Sequence, residues 1–435
     1  MLLRFRATNH KSIRDTAELA LTKSNFDAIR PKDGDWEAVT NRVAGIFGAN
    51  ASGKTTVLDA MAFAIFAING SASWSDRKQL PHKPFLLDEE SKSETSAYEL
   101  DFTVRDVRHV YGFEIDSKGI ASEWLSNYPE GRRRTLFERT GPEPEKLTFS
   151  RHLKGENVRI SRLMGEKNLF LSVAAMSNHP YLKPIHHYLS SHIRYAAFNE
   201  SNQSGRMRSV KKWIEDDDFL MKAQSLLRFA DLGISRLSLD TIELDLEIQK
   251  KVKSAMTVLM DESEEEVIEG ILKEQGKVIS FWHDSGTRAG AQKLEISDES
   301  SGTLAWLALA LPALQEIKYG GVLLVDEIDA SLHPRLASAL ISLFKTPEIN
   351  PRGAQLIFTS HDTSLLGHLT GDNLEKEDVW FSEKETNGST GIYPLTDFPV
   401  KGDQNIERRY LSGRYGAVPE VAWEELRSTL MEATS

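Results

Sequence analysis

The sequence predicts an α/β protein: a mixed sheet, a flanking antiparallel β-subdomain, and a mostly helical insert between the two halves of the chain. Three observations carry that prediction. GANASGKTT (48–56) is a glycine-rich turn set between a β-favouring run and a helical one. GGVLLVDEIDASLHP (320–334) opens as a buried strand and turns acidic at its tip. AYELDFTV, HVYGFEI and ASEWL, within residues 97–126, alternate as the strands of an antiparallel sheet do.

The first element is a phosphate-binding loop. A glycine, four further residues and then Gly53-Lys54-Thr55 is its spacing. VAGIF (43–47) supplies the strand before it, and Val57, Leu58, Met61, Ile65 and Ile68 recur at helical spacing after it. Backbone N–H groups at the helix N-terminus would cradle phosphates. Lys54 would bring a point charge to the β/γ-phosphates, and the Thr55 hydroxyl would ligate Mg²⁺. The bland alternative is a glycine-rich turn before a core helix, and the strand and helix on either side argue against it.

The second element is the carboxylate that such a loop needs at the tip of a neighbouring strand. Asp326 ends the run GVLLV, where it can hold Mg²⁺ through water, and Glu327 follows, placed to orient or deprotonate the attacking water. Two acids capping a strand is the alternative. A third strand, AQLIFT (354–359), leads into Ser360-His361-Asp362, from which His361 could reach a γ-phosphate. Alone, such a Ser-His pair is more often a helix N-cap with a surface histidine. Between the halves, Ser300-Ser301-Gly302-Thr303 opens an apolar helix (297–317). Hydroxyls and a glycine there make either a helix cap or a second anion site, the latter serving a nucleotide held by another subunit.

Composition narrows the class. The chain has 435 residues, 40% hydrophobic and 27% charged, which is ordinary for a soluble globular protein of two or three domains. It has no cysteine, so disulfides, thiolate metal sites and cysteine nucleophiles are excluded, and a reducing, cytoplasmic setting is expected. The N-terminus lacks a signal-peptide pattern, and AMAFAIFAI (60–68) is too short to span a bilayer, so no membrane association is expected. The formal net charge of −11 argues against a surface coated for nucleic acid but leaves room for a local basic patch. Arg132, Arg133 and Arg134, with Arg206, Arg208, Lys211 and Lys212 near Trp213, are the candidates; a solvated loop is the alternative. His186, His187 and His192 cluster without cysteines or suitably spaced carboxylates, which disfavours a metal site.

The expected organisation is a first half of the nucleotide-binding core over 1–155, a mostly helical insert or lid over 156–285, a second half over 286–400 and a tail over 401–435. A hairpin is expected within 131–155, helices at MKAQSLLRFA (221–230) and at 253–275, and strands near DVWFS (378–382) and GIYPL (391–395). No heptad run is long enough for an extended coiled coil.

These motifs, in this order, resemble the ABC-type ATPase heads of the structural-maintenance, RecF and overcoming-lysogenisation-defect (OLD) group. They are GANASGKTT (48–56), ESSGT (299–303), LLVDEID (323–329) with Ala330-Ser331-Leu332-His333, and TSHD (359–362). Asn9-His10-Lys11-Ser12-Ile13 after the first strand is similar to that group's start. HKPFLLD (82–88), EWL (123–125), NLFLSVAAMSN (168–178) and YLSGRYGAVP (410–419) are similar to the stand-alone ATPases of abortive-infection phage defence, the AbiL/Rlo-type group.

The resemblance implies a P-loop NTPase fold of ABC-head type, with ATP and Mg²⁺ as cofactors. Gly48, Asn50, Gly53, Lys54, Thr55 and Thr56 match the Walker A loop. Ser301, Gly302 and Thr303 match the signature motif, departing from the transporter form LSGGQ. Asp326 and Glu327 match Walker B and the catalytic glutamate, Asp329 to Leu332 the D-loop, and His361 the switch histidine. Gln79 is the nearest candidate for the glutamine loop. The implied partners are a second head in a homodimer or higher oligomer, a separate effector such as a nuclease or toxin, and a nucleic acid or phage protein as trigger. About 75 residues follow His361, which is short for the Toprim nuclease of OLD proteins. A RecF-like DNA-repair ATPase is the alternative. A transporter domain is disfavoured by the signature and the large insert, and an ATP sensor without turnover by Glu327 and His361.

Overall fold

The computed structural model describes residues 1–23, 34–196, 209–230, 233–242, 276–284, 290–368, 374–399 and 404–419, with a few isolated positions between them. The chain divides into two compact units. Residues 1–197, 316–329 and 337–435 form the first, and 198–315 with 330–336 the second.

Along the chain come β1 (Leu2–Thr8), β2 (Ala17–Ala20), β3 (Val43–Phe47), β4 (Ser96–Val104), β5 (Val107–Ile115), β6 (Ile120–Tyr128), β7 (Arg134–Arg139), β8 (Leu147–Phe149) and β9 (Ile193–Ala196). There follow β10 (Ile234–Thr241), β11 (Lys277–Asp284), β12 (Ala291–Glu295), β13 (Val322–Val325), β14 (Gln355–Ser360), β15 (Val379–Lys384) and β16 (Thr390–Pro394). The first unit holds two sheets. One has seven antiparallel strands in the order β2-β1-β4-β5-β6-β7-β8; the other has six, β16-β15-β3-β14-β13-β9, parallel except for the β15–β16 pair. This is the expected mixed sheet with an antiparallel subdomain, and the hairpin expected within 131–155 is β7–β8.

Sequence explains the division of labour. β3, β13 and β14 are buried at every position, the pattern of parallel strands covered on both faces. β4 begins as an alternation of buried and half-buried residues, as an antiparallel strand with two different faces does. The helix Lys54–Gly70 packs against β1 and β4 of one sheet and against β9 and β14 of the other. Contact on both sides buries most of it, including Val57, Leu58, Ala60, Met61, Phe63, Ala64, Ile65, Ala67 and Ile68, and leaves one narrow stripe through Thr55, Asp59, Phe66 and Asn69 at least partly exposed. By length and composition Lys54–Ser73 would cross a bilayer, but its apolarity serves this core. Each large side chain so buried contributes about 1.5–3 kcal/mol.

The expected boundaries differ from the units. Helices Phe170–Met176 and Leu182–Ser191 and strand β9, all assigned to the insert over 156–285, lie in the first unit. The reason is β9, which pairs in parallel with β13 from Ile193↔Val322 to Ala196↔Val325 and so extends the mixed sheet. The helix Ser301–Tyr319, expected in the second half of the core, begins in the second unit. The described part of the second unit contains helix Asp217–Phe229 and the antiparallel sheet β10-β11-β12. The helix expected over 253–275 falls, save Ser254, outside the described residues, as do Arg206 and Arg208.

Candidate functional site

The site lies where three parallel strands end side by side. β14 separates β3 from β13, and their register lines up Val325, Phe358 and Gly45 across the sheet. One edge therefore carries the turn after β3, the acids after β13 and the histidine after β14. The turn closes on Gly53, whose φ of 104° favours glycine, and a side chain there would collide with Thr390 at the start of β16. Ser382 Oγ of β15 donates to Ser52 O at 3.1 Å and tethers the turn to the sheet, with Thr390 Oγ1 2.9 Å from the same oxygen. The helix then starts at Lys54, with Gly53 as N-cap and no acid in its first turn. The Thr56 N–H donates to Gly53 O at 2.9 Å, and the helix N-terminus as a whole favours an anion.

Lys54 is 5% exposed and points back into its own loop. Its Nζ donates to Gly48 O at 2.8 Å and Ala49 O at 2.9 Å, and it lies 3.3 Å from His361 Nδ1. Burial pushes its pKa down to about 8, against the opposing pull of Glu327, Asp329 and Asp326.

Thr55 Oγ1 donates to Asp326 Oδ1 at 3.0 Å, and Thr359 Oγ1 donates to the same oxygen at 2.7 Å. Thr359 Oγ1 in turn accepts the Glu327 N–H at 2.8 Å. Glu327 has φ 54°, a left-handed conformation that a glutamate seldom adopts. Its half-exposed side chain reaches to 3.6 Å from His361 Nε2. Asp329 Oδ1 holds the other side of the histidine strand, accepting Ser360 Oγ at 2.7 Å and the His361 N–H at 3.3 Å.

A cavity of about 380 Å³ opens here, lined by Ser12, Asn50, Ala51, Gly53, Lys54, Thr55, Thr56, Glu327 and His361. Seven of these nine were candidates on sequence grounds; Gly48 and Asp326 touch Lys54 and Thr55 directly. The arrangement offers a phosphate cradle and a buried cation. It also has a hydroxyl–carboxylate pair of the hard-oxygen kind that Mg²⁺ prefers, and an open carboxylate able to take a proton.

The remaining candidates lie elsewhere. Ser301, Gly302 and Thr303 belong to the second unit, where Ser300 Oγ caps their helix by accepting the Thr303 N–H at 3.1 Å. Gln79 is exposed and does not line the cavity. His186 Nε2 bonds Ile68 O at 3.0 Å, and His187 and His192 pack ring to ring. Arg132 and Arg133 are exposed on the β6–β7 turn. Sequence reasoning missed Thr359 and Thr390 and gave Ser12 no role. Thr359 stood inside TSHD and Ser12 inside NHKS, so both were within reach, whereas nothing local marks Thr390.

A family model described as "AAA domain, putative AbiEii toxin, Type IV TA system" matches residues 43–367, about three quarters of the chain. No curated protein matches. Among solved structures, the chain is similar to the Smc head bound to the C-winged helix domain of ScpA. The TM-score is 0.44 and the identity 15%, over 90% of this chain and 96% of that one. It is also similar to the Smc head domain with an extended coiled coil bound to the C-terminal domain of ScpA from Pyrococcus furiosus. There the TM-score is 0.38 and the identity 14%, over 91% and 97% of the two chains. The matched family span runs from β3 through His361 and contains the glycine-rich turn, the acid-tipped strand and the histidine strand, and the chain accordingly belongs to this AAA-domain family and is a P-loop ATPase.

Proposed function

We propose that the chain is an ATP-driven switch, the ATPase component of a bacterial anti-phage system, working in the cytoplasm and controlling a separate nuclease or toxin. The observation that carries the catalytic part is the 3.0 Å bond from Thr55 Oγ1 to Asp326 Oδ1. It joins the two halves of a metal and phosphate site from residues far apart in sequence. Thr55 and Asp326 would hold Mg²⁺, which supplies charge neutralisation on the phosphates. Lys54 and the helix N-terminus bind and orient the phosphates. Glu327 takes the proton of the attacking water, and His361 donates toward the γ-phosphate.

Two heads are proposed to share each site. By resemblance to ABC-type heads, the Ser301-Gly302-Thr303 helix start of one copy serves the nucleotide of the other. The family's description, which names a putative AbiEii toxin and a Type IV TA system, is compatible with the defence role, which itself rests on the resemblance read from the sequence. A phage challenge tests it. Cells carrying this chain with its neighbouring gene should be protected, cells with either alone should not, and Glu327→Gln should abolish protection. Full protection from this chain alone sinks the separate effector, and no protection in any combination sinks the defence role.

One observation favours a second role, a RecF-like ATPase that binds DNA. The pKa of the exposed His152 is lowered by desolvation and then by the converging charges of Arg134, Arg151 and Lys154. These three cations make no ion pair among the described residues. DNA-stimulated turnover that is lost on replacing Arg134 and Arg151 would favour this alternative over the switch.

A further inference from the structure

The turn Asn9–Ser12 is built with more care than a connection between β1 and β2 requires. Asn9 and Lys11 both have left-handed backbones, with φ of 52° and 50°. Asn9 Nδ2 donates to Ser91 O at 2.8 Å and to Glu94 O and Thr95 O at 3.2 Å, and its Oδ1 accepts the Phe85 N–H at 2.8 Å. The Lys11 N–H donates to Lys83 O at 2.7 Å. NHKS and HKPFLLD, two stretches that the nucleotide site did not absorb, thus meet in space.

What they meet around is Asp59, on the helix that follows the phosphate loop. His10 is completely buried between two partners, with Nε2 2.8 Å from Asp59 Oδ2 and Nδ1 2.7 Å from Tyr98 OH. Lys11 Nζ lies 2.8 Å from the same Asp59 oxygen and Lys83 Nζ 3.6 Å from it. Burial opposes the charge on Asp59, yet the hydrogen bonds from His10 and Lys11 hold its carboxyl well below the usual range. An ionised Asp59 only accepts, so His10 Nε2 carries the proton and Nδ1 accepts from Tyr98. Asp59 and Thr56 are three residues apart and share a helix face. Pinning His10 and Lys11 to Asp59 therefore sets Ser12 over Thr56.

Ser12 Oγ donates to Thr56 Oγ1 at 2.9 Å, and both residues line the cavity. A hydroxyl has one proton to give. With its oxygen already accepting from Ser12, Thr56 has its own proton left over, and no acceptor for that proton occurs among the described residues. Ser12 is itself anchored from the far side, since Thr390 Oγ1 lies 2.8 Å away and the Thr390 N–H donates to Ser12 O at 2.8 Å.

We propose that Ser12 is a positioning residue for nucleotide binding. Held by the Asn9–Lys11 turn and its Asp59 clamp, it directs the Thr56 proton toward a phosphate oxygen of ATP. This rests on the proposed nucleotide site. The bond made by Thr56 is to a charged acceptor and so strong, while Ser12 acts only through it.

The test is steady-state ATP hydrolysis and ATP binding by the full chain. Ser12→Ala should raise KM and the ATP dissociation constant about fivefold, with kcat within about twofold, the loss expected for one misdirected bond to a charged group. Ser12→Thr keeps the hydroxyl and should restore most of the affinity. In a Thr56→Val background, Ser12→Ala should add nothing further. Asp59→Asn should reproduce the Ser12→Ala effect with a KM-dominated change. Unchanged affinity in Ser12→Ala overturns the inference, as does a full additional fivefold loss in the Thr56→Val background. If the wild-type chain binds ATP and Ser12→Ala is silent, this inference alone fails. If the wild-type chain binds none, the nucleotide site fails and takes this with it.

Discussion

Lys54 should make ATP binding depend on pH above neutrality. Its pKa is pushed down to about 8 by burial, so its charge is lost well below the usual lysine range. Only the protonated form pairs with phosphate. At pH 7 about nine tenths of the lysine is charged, and at pH 9 about one tenth, so affinity should fall about tenfold between them. Isothermal titration of ATP from pH 6.5 to 9.5, in buffers of different ionisation enthalpy, should show that fall together with proton uptake above pH 7.5. Lys54→Arg keeps a charge through this whole range and should flatten the profile at whatever affinity it retains. The sign for folding follows from the same shift. Below about pH 8 both native and unfolded chains hold the proton, and the burial penalty is present in full. Between about 8 and about 10.5 the native chain has released it and the unfolded chain has not, so this lysine's contribution to stability rises with pH. Affinity that stays flat from pH 7 to 9 in the wild type, or an equal slope in Lys54→Arg, refutes the assignment.

Two more predictions concern turnover. Glu327→Gln should retain ATP binding and lose hydrolysis by about a hundredfold or more, because an amide of the same shape cannot accept the water's proton; near-normal turnover would remove Glu327 from that role. If two heads share each site, Lys54→Ala and Gly302→Asp chains should each be inactive alone and regain activity when mixed, since one site of the mixed dimer then carries neither defect. Mixed dimers that form without recovering activity, or a strict monomer at full rate, would rule out the shared site.

How much was legible follows from where the information sits. β3, β13 and β14 are short apolar runs ending in a glycine turn, an acid pair and a histidine, and both the strand and its chemical tip are local signals. The group recognised from those motifs is borne out at the level of the AAA-domain family. β9 is the counter-example. Four residues, IRYA, following directly on a helix show no strand periodicity of their own, and only pairing with Val322–Val325 makes them a strand. Long-range pairing of that kind leaves no trace in a sequence window, so the sequence alone places β9 with the insert over 156–285.

The same distinction separates the legible and illegible parts of the site. Lys54, Thr55, Asp326 and Glu327 stand at motif spacings, the first two opening the helix after the glycine turn and the other two directly following β13. Thr359 and Thr390 act instead through the residues they bond. Thr359 joins Asp326 to the Glu327 backbone with one hydroxyl that both donates and accepts. Thr390 fills the space left by the missing side chain of Gly53, and its hydroxyl lies 2.8 Å from Ser12 Oγ and 2.9 Å from Ser52 O. A threonine is common in any strand, so its presence signals nothing. Its role is fixed by the register that brings β16 against the loop, and that register is set by β15 pairing with β3 in parallel and with β16 antiparallel. The part of the site that a sequence conceals is therefore the layer that orients the reacting groups, which is also the layer that the Ser12 and Asp59 substitutions probe.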